Sequence, residues 1–115
     1  MTADCLFCRI ASGEIPVERV GETSRVIAIR DLQPQAPTHL LLIPREHVAS
    51  SAADLSADHA ALLGDLFALA ARLAKREGLE GGWRLVSNVG EEGGQSVAHL
   101  HVHLLGGRRM NWPPG

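Results

Sequence analysis

Apolar and polar positions along this 115-residue chain change period twice, and the changes divide it into elements. Val17 to Val20, Arg25 to Arg30 and Thr38 to Ile43 are β-rich runs, separated by Gly21-Glu22-Thr23-Ser24 and by Gln33-Pro34-Gln35-Ala36-Pro37. They predict three strands, the third closed by Pro44, which has no N–H to donate to a ladder. From Ser56 to Glu77 the period becomes helical: Leu62, Leu63, Leu66, Phe67, Ala70, Leu73 and Ala74 recur at helical spacing, Lys75 and Arg76 occupy the last turn, and Gly78 follows. Trp83 to Asn88 and Ala98 to Leu105 return to strand patterns around Gly90-Glu91-Glu92-Gly93-Gly94. At the start, Asp4 stands as a capping residue before a short helical pattern, Cys5 to Ala11, with Gly13 behind it. The order is short helix, three strands, long helix, two strands. Adjacent strands without βαβ alternation predict an α+β domain: an antiparallel five-stranded sheet with its helices set apart.

Length limits the chain to one domain, residues 1–115, because a second core of useful size would not fit. Hydrophobic residues at 45% and charged residues at 21% are ordinary for a globular chain, which excludes disordered and coiled-coil readings. A net charge of -2 argues against a nucleic-acid partner, whose phosphates demand a broad basic surface, but leaves a small phosphorylated ligand open. Apolar runs fall short of the roughly 20 residues a membrane helix needs, so no membrane partner is expected. Met1-Thr2-Ala3-Asp4-Cys5 lacks a basic stretch leading into an apolar one, so a cytoplasmic location with reduced thiols is expected.

One segment carries unusual chemistry. In a strand, His99, His101 and His103 project from one side while Leu100, Val102 and Leu104 project from the other. The leucine and valine face is ordinary core. A lone strand histidine is most often structural, but three alternating imidazoles, each titrating near neutral pH, need another explanation. Two remain: His-x-His chelation of a catalytic metal that activates water, or one neutral imidazole acting as nucleophile while the others orient it and hold phosphate. Upstream, Gly93-Gly94-Gln95-Ser96 offers close backbone N–H groups and a hydroxyl, which suits phosphate, although a connection needing positive φ explains the glycines equally well.

His99-Leu100-His101-Val102-His103-Leu104-Leu105 resembles the signature of the histidine triad (HIT) family in full. Asp31 to His39, Gly93 to Val97 and the terminal Trp112-Pro113-Pro114-Gly115 are similar to its Hint branch, the histidine triad nucleotide-binding proteins. That resemblance implies a HIT-like fold and a homodimer whose sheets join. It also implies a purine nucleotide ligand of the AMP type and hydrolysis of nucleoside 5′-phosphoramidates through a nucleotidyl-histidine, with no catalytic cofactor. By motif position His101 is the nucleophile, oriented by the carbonyl of His99. His103 and His39 match the family's histidines that contact phosphate and complete a polar relay, and Ser96 matches the serine near the departing group. Asp31 accepts from the ribose, Asn88, Gly94 and Gln95 line phosphate and sugar, and Leu6, Phe7, Ile10, Ile29 and Leu32 form the base slot. Trp112 reaches the partner protomer's site. Residue by residue the bland alternatives persist: a turn-forming Asp31, ordinary core for the apolar set, a dimer or core plug for Trp112. Relatives often carry aromatics at the positions of Ala98 and Ile29, so base stacking is leaner here. Dinucleoside polyphosphate hydrolysis, or a nucleotide-binding regulatory module with little turnover, are the competing functions.

Cys5 and Cys8 have the spacing of half a zinc site. The resemblance implies completion by two histidines, as in bacterial members of the family, and the candidates are His47 and His99. Such a site is closed, hence structural, and offers no open position for catalysis. Two buried thiols and a redox pair are the other readings. His59, early in the long helix, reads as a solvated surface histidine.

Overall fold

A computed structural model describes residues 4–115, so the expectation about a leader rests partly on residues outside the described ones. Five strands, β1 (Arg19–Glu22), β2 (Val26–Arg30), β3 (Thr38–Pro44), β4 (Trp83–Val86) and β5 (Val102–Gly106), form one antiparallel sheet in the order β1-β2-β3-β5-β4. A short helix α1 (Leu6–Ala11) and a long helix α2 (Ala60–Arg76) complete the α+β fold expected from the sequence.

The central strand β3 is buried at every position, and beyond Thr38 and His39 it reads as an unbroken apolar run, Leu40 to Pro44. Its register sorts the sheet into two faces. Val26, Ala28, Leu40, Leu42, Val102 and Leu104 pack against Leu66, Leu69, Ala70 and Leu73 of α2. A side chain at Gly21 would stand 2.9 Å from Leu73 Cδ2, so glycine there lets β1 approach the helix. Ile27, Ile29, Leu41 and Ile43 point the other way and pack against Phe7 and Ile10 of α1. The long helix covers one face; only the short one covers the other.

Several boundaries differ from the pattern for local reasons. The cap of α1 is Cys5, not Asp4: Cys5 is extended and its sulfur accepts the Cys8 N–H at 3.4 Å. Thr23 Oγ1 accepts the N–H groups of Arg25 and Val26, which moves the β1–β2 turn along and lets β1 run to Glu22. The last strand begins at Val102, not Ala98, because the Leu100 N–H pairs with the Ala49 carbonyl at 2.9 Å, outside the ladder. Having lost that partner, β4 stops at Val86, short of Asn88. A 3-10 turn, Ala57–His59, precedes α2, and His59 Nδ1 accepts the Ser56 N–H at 3.0 Å, so this half-buried histidine caps the turn where a solvated one was expected. Past Glu77, Gly78 at φ +73° allows the Gly78 and Leu79 amides to bond back to Lys75 and Ala74, the doubly bonded stop that a left-handed residue makes possible. No helix among the described residues is long and apolar enough to cross a membrane.

Candidate functional site

Five of the six histidines lie in one row on the α1 face of the sheet. Ring centroids run His47 to His99 at 4.6 Å, His101 to His103 at 5.2 Å and His103 to His39 at 5.1 Å, and Phe7 meets both His99 and His101 edge-on. The alternation expected for 99–103 therefore holds, although only His103 lies within β5. Leu100, Val102 and Leu104 are buried, the last two in the opposite core.

Main-chain partners fix the proton on each ring. His101 Nδ1–H donates to the His99 carbonyl at 2.7 Å, leaving Nε2 as a bare lone pair. The Gln35 N–H donates to His39 Nδ1 at 3.0 Å, so the His39 proton is on Nε2 and donates to His103 Nδ1 at 2.9 Å. His103 must then carry its own proton on Nε2, facing outward as a donor. Next to that donor stands a ring, His101, presenting an acceptor lone pair, a pairing that can serve nucleophilic attack beside a hydrogen-bond donor for an anionic oxygen. Burial first, then His101 and His39, push the His103 imidazole down to about 4, against the opposing pull of Asp31. His39 is lowered too, by burial, again opposed by Asp31. Both are neutral at neutral pH, as the relay requires.

Asp31 stands at the end of this row, with Oδ2 3.4 Å from His39 Nε2 while Oδ1 accepts the Gln33 N–H at 2.8 Å, so this carboxylate both forms a turn and faces the histidines. Asp31, His39 and His103 resemble a three-ligand metal set by proximity alone. The tautomer argues against it: a metal on His39 Nε2 needs the ring proton on Nδ1, and Nδ1 already faces the Gln35 donor.

The cysteine cluster has the opposite character. His99 Nε2–H donates to the Pro44 carbonyl at 2.9 Å, which turns the Nδ1 lone pair toward Cys5 Sγ at 3.1 Å and Cys8 Sγ at 3.5 Å, and His47 Nδ1 lies 3.5 Å from Cys8 Sγ. Bonds of about 2.3 Å to sulfur and 2.0 Å to nitrogen around a tetrahedral ion put ligand atoms roughly 3.5 Å apart, so the donor set fits Zn²⁺. The carbonyl behind His99 is the outer partner a metal-bound imidazole ordinarily keeps. Without an ion, burial and the neighbouring Cys5 thiol push Cys8 up to about 11. That Cys-Cys-His-His set leaves no coordination position near His101.

The loop between β4 and β5 is shaped from within. Gln95 Oε1 accepts the Gly90 N–H at 3.0 Å, and Nε2 donates to the Ser50 and Val97 carbonyls at 2.6 and 3.1 Å. Asn88 Nδ2 donates to the Gly93 carbonyl at 2.7 Å. At Gly93 a Cβ would lie 2.2 Å from the Val89 oxygen, and Gly94 has φ +79°, so both glycines are conformational requirements. Ser96 is exposed on this loop. Phe7, Ile10 and Ile29 are buried in the α1 cluster, whereas Leu6 is half exposed and Leu32 is 94% exposed.

A cleft of about 430 Å³ opens beside the relay, lined by His39, His103, Asn88, Arg84, Arg108 and the terminal Pro113-Pro114-Gly115. Trp112 is itself exposed, with the Arg84 guanidinium 5.9 Å above its ring. Arg108 donates through Nε and Nη2 to the Gln35 carbonyl at 3.2 and 3.0 Å, clamping the peptide whose neighbour holds His39. The sequence pattern points to no site role for either arginine, for Gln35 or for Pro44: the arginines bond to distant carbonyls, and Gln35 and Pro44 act on His39 and His99 through their own main-chain N–H and C=O, which residue type does not encode. A larger cleft of about 570 Å³ beyond β4 is lined by Leu79, Gly82, Arg84 and Arg109 and contains no histidine.

Comparison with known proteins gives a consistent result. The HIT domain profile matches residues 12–110. The chain is 50% identical over 111 residues to the 14 kDa zinc-binding protein of Zea mays, covering 96% of this chain and 87% of that protein. To adenylylsulfatase HINT1 of Arabidopsis thaliana it is 48% identical, covering 96% and 76% respectively. The crystal structure of a HIT family hydrolase from Legionella pneumophila superimposes with a TM-score of 0.93 at 54% identity, over 97% of this chain and 100% of that one.

Proposed function

This chain belongs to the HIT domain family, and from that premise we propose that it is a purine nucleotide hydrolase that cleaves nucleoside 5′-phosphoramidates through a nucleotidyl-His101 intermediate. The observation that carries this reading is the 2.7 Å bond from His101 Nδ1–H to the His99 carbonyl, which leaves Nε2 free to attack. Nε2 forms a bond to the α-phosphorus, the P–N bond breaks with its electron pair going to nitrogen, and the amine leaves after gaining a proton near the Ser96 hydroxyl. The positive charge that develops on His101 is stabilised by the same carbonyl. His103 Nε2–H donates to a phosphate oxygen, and His39 and Asp31 hold that donor in place. Water then hydrolyses the P–N bond to His101, releasing the nucleoside monophosphate. Asp31 is the ribose acceptor of this scheme, Asn88, Gly94 and Gln95 shape the phosphate and sugar loop, and Leu6, Ile10, Ile29 and Leu32 border the base. A sulfate leaving group is a second reading, favoured by Arg84 and Arg108 at the cleft and by the name of the Arabidopsis relative.

Cys5, Cys8, His47 and His99 are the proposed ligands of a structural zinc, which when bound supplies a cross-link between α1 and the sheet. Metal content should be near one per chain and should fall in Cys5→Ser. The proposed assembly is a homodimer formed through the unpaired edge of β4 and the exposed face of α2, with Trp112 directed to the partner site. The proposed compartment is the cytosol, where Cys5 and Cys8 stay reduced.

The decisive experiment is intact mass after mixing with adenosine 5′-phosphoramidate and adenylyl sulfate. Wild type should gain one nucleotidyl group transiently and His101→Ala should gain none while losing turnover by roughly 1000-fold or more. Equal turnover by the two proteins defeats the nucleophile assignment.

A further inference from the structure

The cysteine turn and the nucleophile are joined by two physical connections. One is main chain: His99 offers its ring Nδ1 to Cys5 and Cys8 at 3.1 and 3.5 Å while its carbonyl holds His101 Nδ1–H at 2.7 Å. The other is an aromatic wedge. Phe7 lies between Cys5 and Cys8 in the sequence, is 4% exposed, and meets His99 and His101 edge-on, with centroids 5.9 and 4.9 Å away and both interplanar angles 78°.

The two connections restrain different motions. A hydrogen bond at Nδ1 selects the tautomer but leaves the imidazole able to rock about its bond to Cβ. Phe7, 4.9 Å away, and His103, 5.2 Å away, both pack edge-on against that ring and limit its rocking. Phe7 is only as fixed as α1, and a six-residue helix has little stability of its own, since isolated helices below about 12 residues are marginal. Its first turn is capped by the Cys5 sulfur, and its apolar anchors are Phe7 and Ile10. Beside the hydrogen bond from Arg19 Nη2 to the Ala11 carbonyl at 3.0 Å, the cluster of Cys5, Cys8, His47 and His99 ties the start of α1 to the sheet side.

We propose that Phe7 is a positioning residue for His101, and that metal in the Cys5, Cys8, His47, His99 cluster sets both Phe7 and the His99 carbonyl, so that metal loading governs whether the nucleophile is aimed. This rests on the reading of His101 as the nucleophile. It assigns Phe7 a duty different from lining the base slot: a buried ring set edge-on to His101 offers a ligand little surface, so it acts on the rate and not on affinity. Misplacing a reacting atom by about 1 Å costs on the order of 100-fold, which sets the scale expected.

The test uses the full-length chain labelled with ¹⁵N-histidine, as zinc-loaded wild type, chelator-treated wild type and zinc-loaded Phe7→Leu, at about pH 8 where free imidazoles are neutral. Long-range ¹H–¹⁵N spectra read the His101 tautomer without any substrate, and single-turnover adduct mass and nucleotide Kd are measured alongside. Zinc-loaded wild type should show one tautomer protonated at Nδ1. The metal-free protein, still folded by circular dichroism, should show a tautomer mixture. Phe7→Leu, with metal content unchanged, should form adduct roughly 10- to 100-fold more slowly while Kd moves less than about threefold. A single Nδ1–H tautomer retained without metal overturns the coupling. So does a Phe7→Leu variant that loses affinity but not rate, because that returns Phe7 to the base slot. If zinc-loaded wild type forms no adduct, the nucleophile reading fails on its own account, and the tautomer comparison still decides whether the cluster orders His101.

Discussion

The Gln35 amide points its hydrogen at Nδ1 of His39, 3.0 Å away, and so fixes the proton on the far side of that ring. Everything downstream in the relay depends on this bond: His39 donates to His103, and His103 turns its own donor outward. Replacing His39 by Ala removes the partner that selects the His103 tautomer but takes away no group assigned to the base or ribose. Adduct formation should slow roughly 10- to 100-fold with nucleotide affinity nearly unchanged. Arg108→Met, which releases the Gln35 carbonyl, should slow it less, by a few-fold. Single-turnover kinetics with a parallel binding titration separate the two quantities, and a loss confined to affinity in either variant contradicts the relay.

Stability should depend on pH through the same rings. In the fold His103 titrates near 4, pushed down by burial and then by His101 and His39, with Asp31 opposing. An unfolded imidazole titrates near 6.5. Between these values the unfolded chain binds a proton that the folded chain refuses, so folding stability falls as pH drops through the window. Above about 6.5 the contribution is flat, and below about 4 the loss is complete. Urea midpoints should therefore decline from about pH 6.5 downward, and His103→Asn should decline less steeply. Parallel curves for the two proteins would remove the effect from His103.

Phe67 is 55% exposed on α2 and shares the helix's outward side with Gly64, which has open space around it. In the proposed homodimer this side of α2 belongs to the contact, and Phe67 is its exposed aromatic. Phe67→Glu should convert a dimer into a monomer by sedimentation equilibrium while leaving far-UV circular dichroism unchanged, because the side chain supports nothing in the core of its own chain. A variant that keeps the wild-type mass in solution places the interface elsewhere.

The sequence disclosed what is written in side-chain alternation and spacing. Val102, Leu104 and the three histidines separate onto two faces because period two survives even where the ladder does not, and Cys5, Cys8, His47 and His99 converge as the motif implied. Illegible were the facts that reside in main-chain atoms. The Pro44 carbonyl behind His99, the Gln35 amide behind His39 and the Ala49 carbonyl that draws Leu100 out of the strand leave no trace in residue type. His59 departs from its pattern for a related reason: its position suggests solvent, whereas the amide of Ser56 recruits its ring. Side-chain chemistry was readable; the backbone that sets each tautomer was not.

The two faces of the sheet are unequally roofed, by a 17-residue helix on one side and a six-residue helix on the other. The uncovered part of the second face is where the histidine row ends and the cleft begins. A nucleotide lying there would act as a missing third layer, burying its base and sugar where another domain would have laid a helix. Ligand binding and structural completion are then one event. The melting temperature should rise with the logarithm of nucleotide concentration, so the protein reports its ligand by becoming harder to unfold.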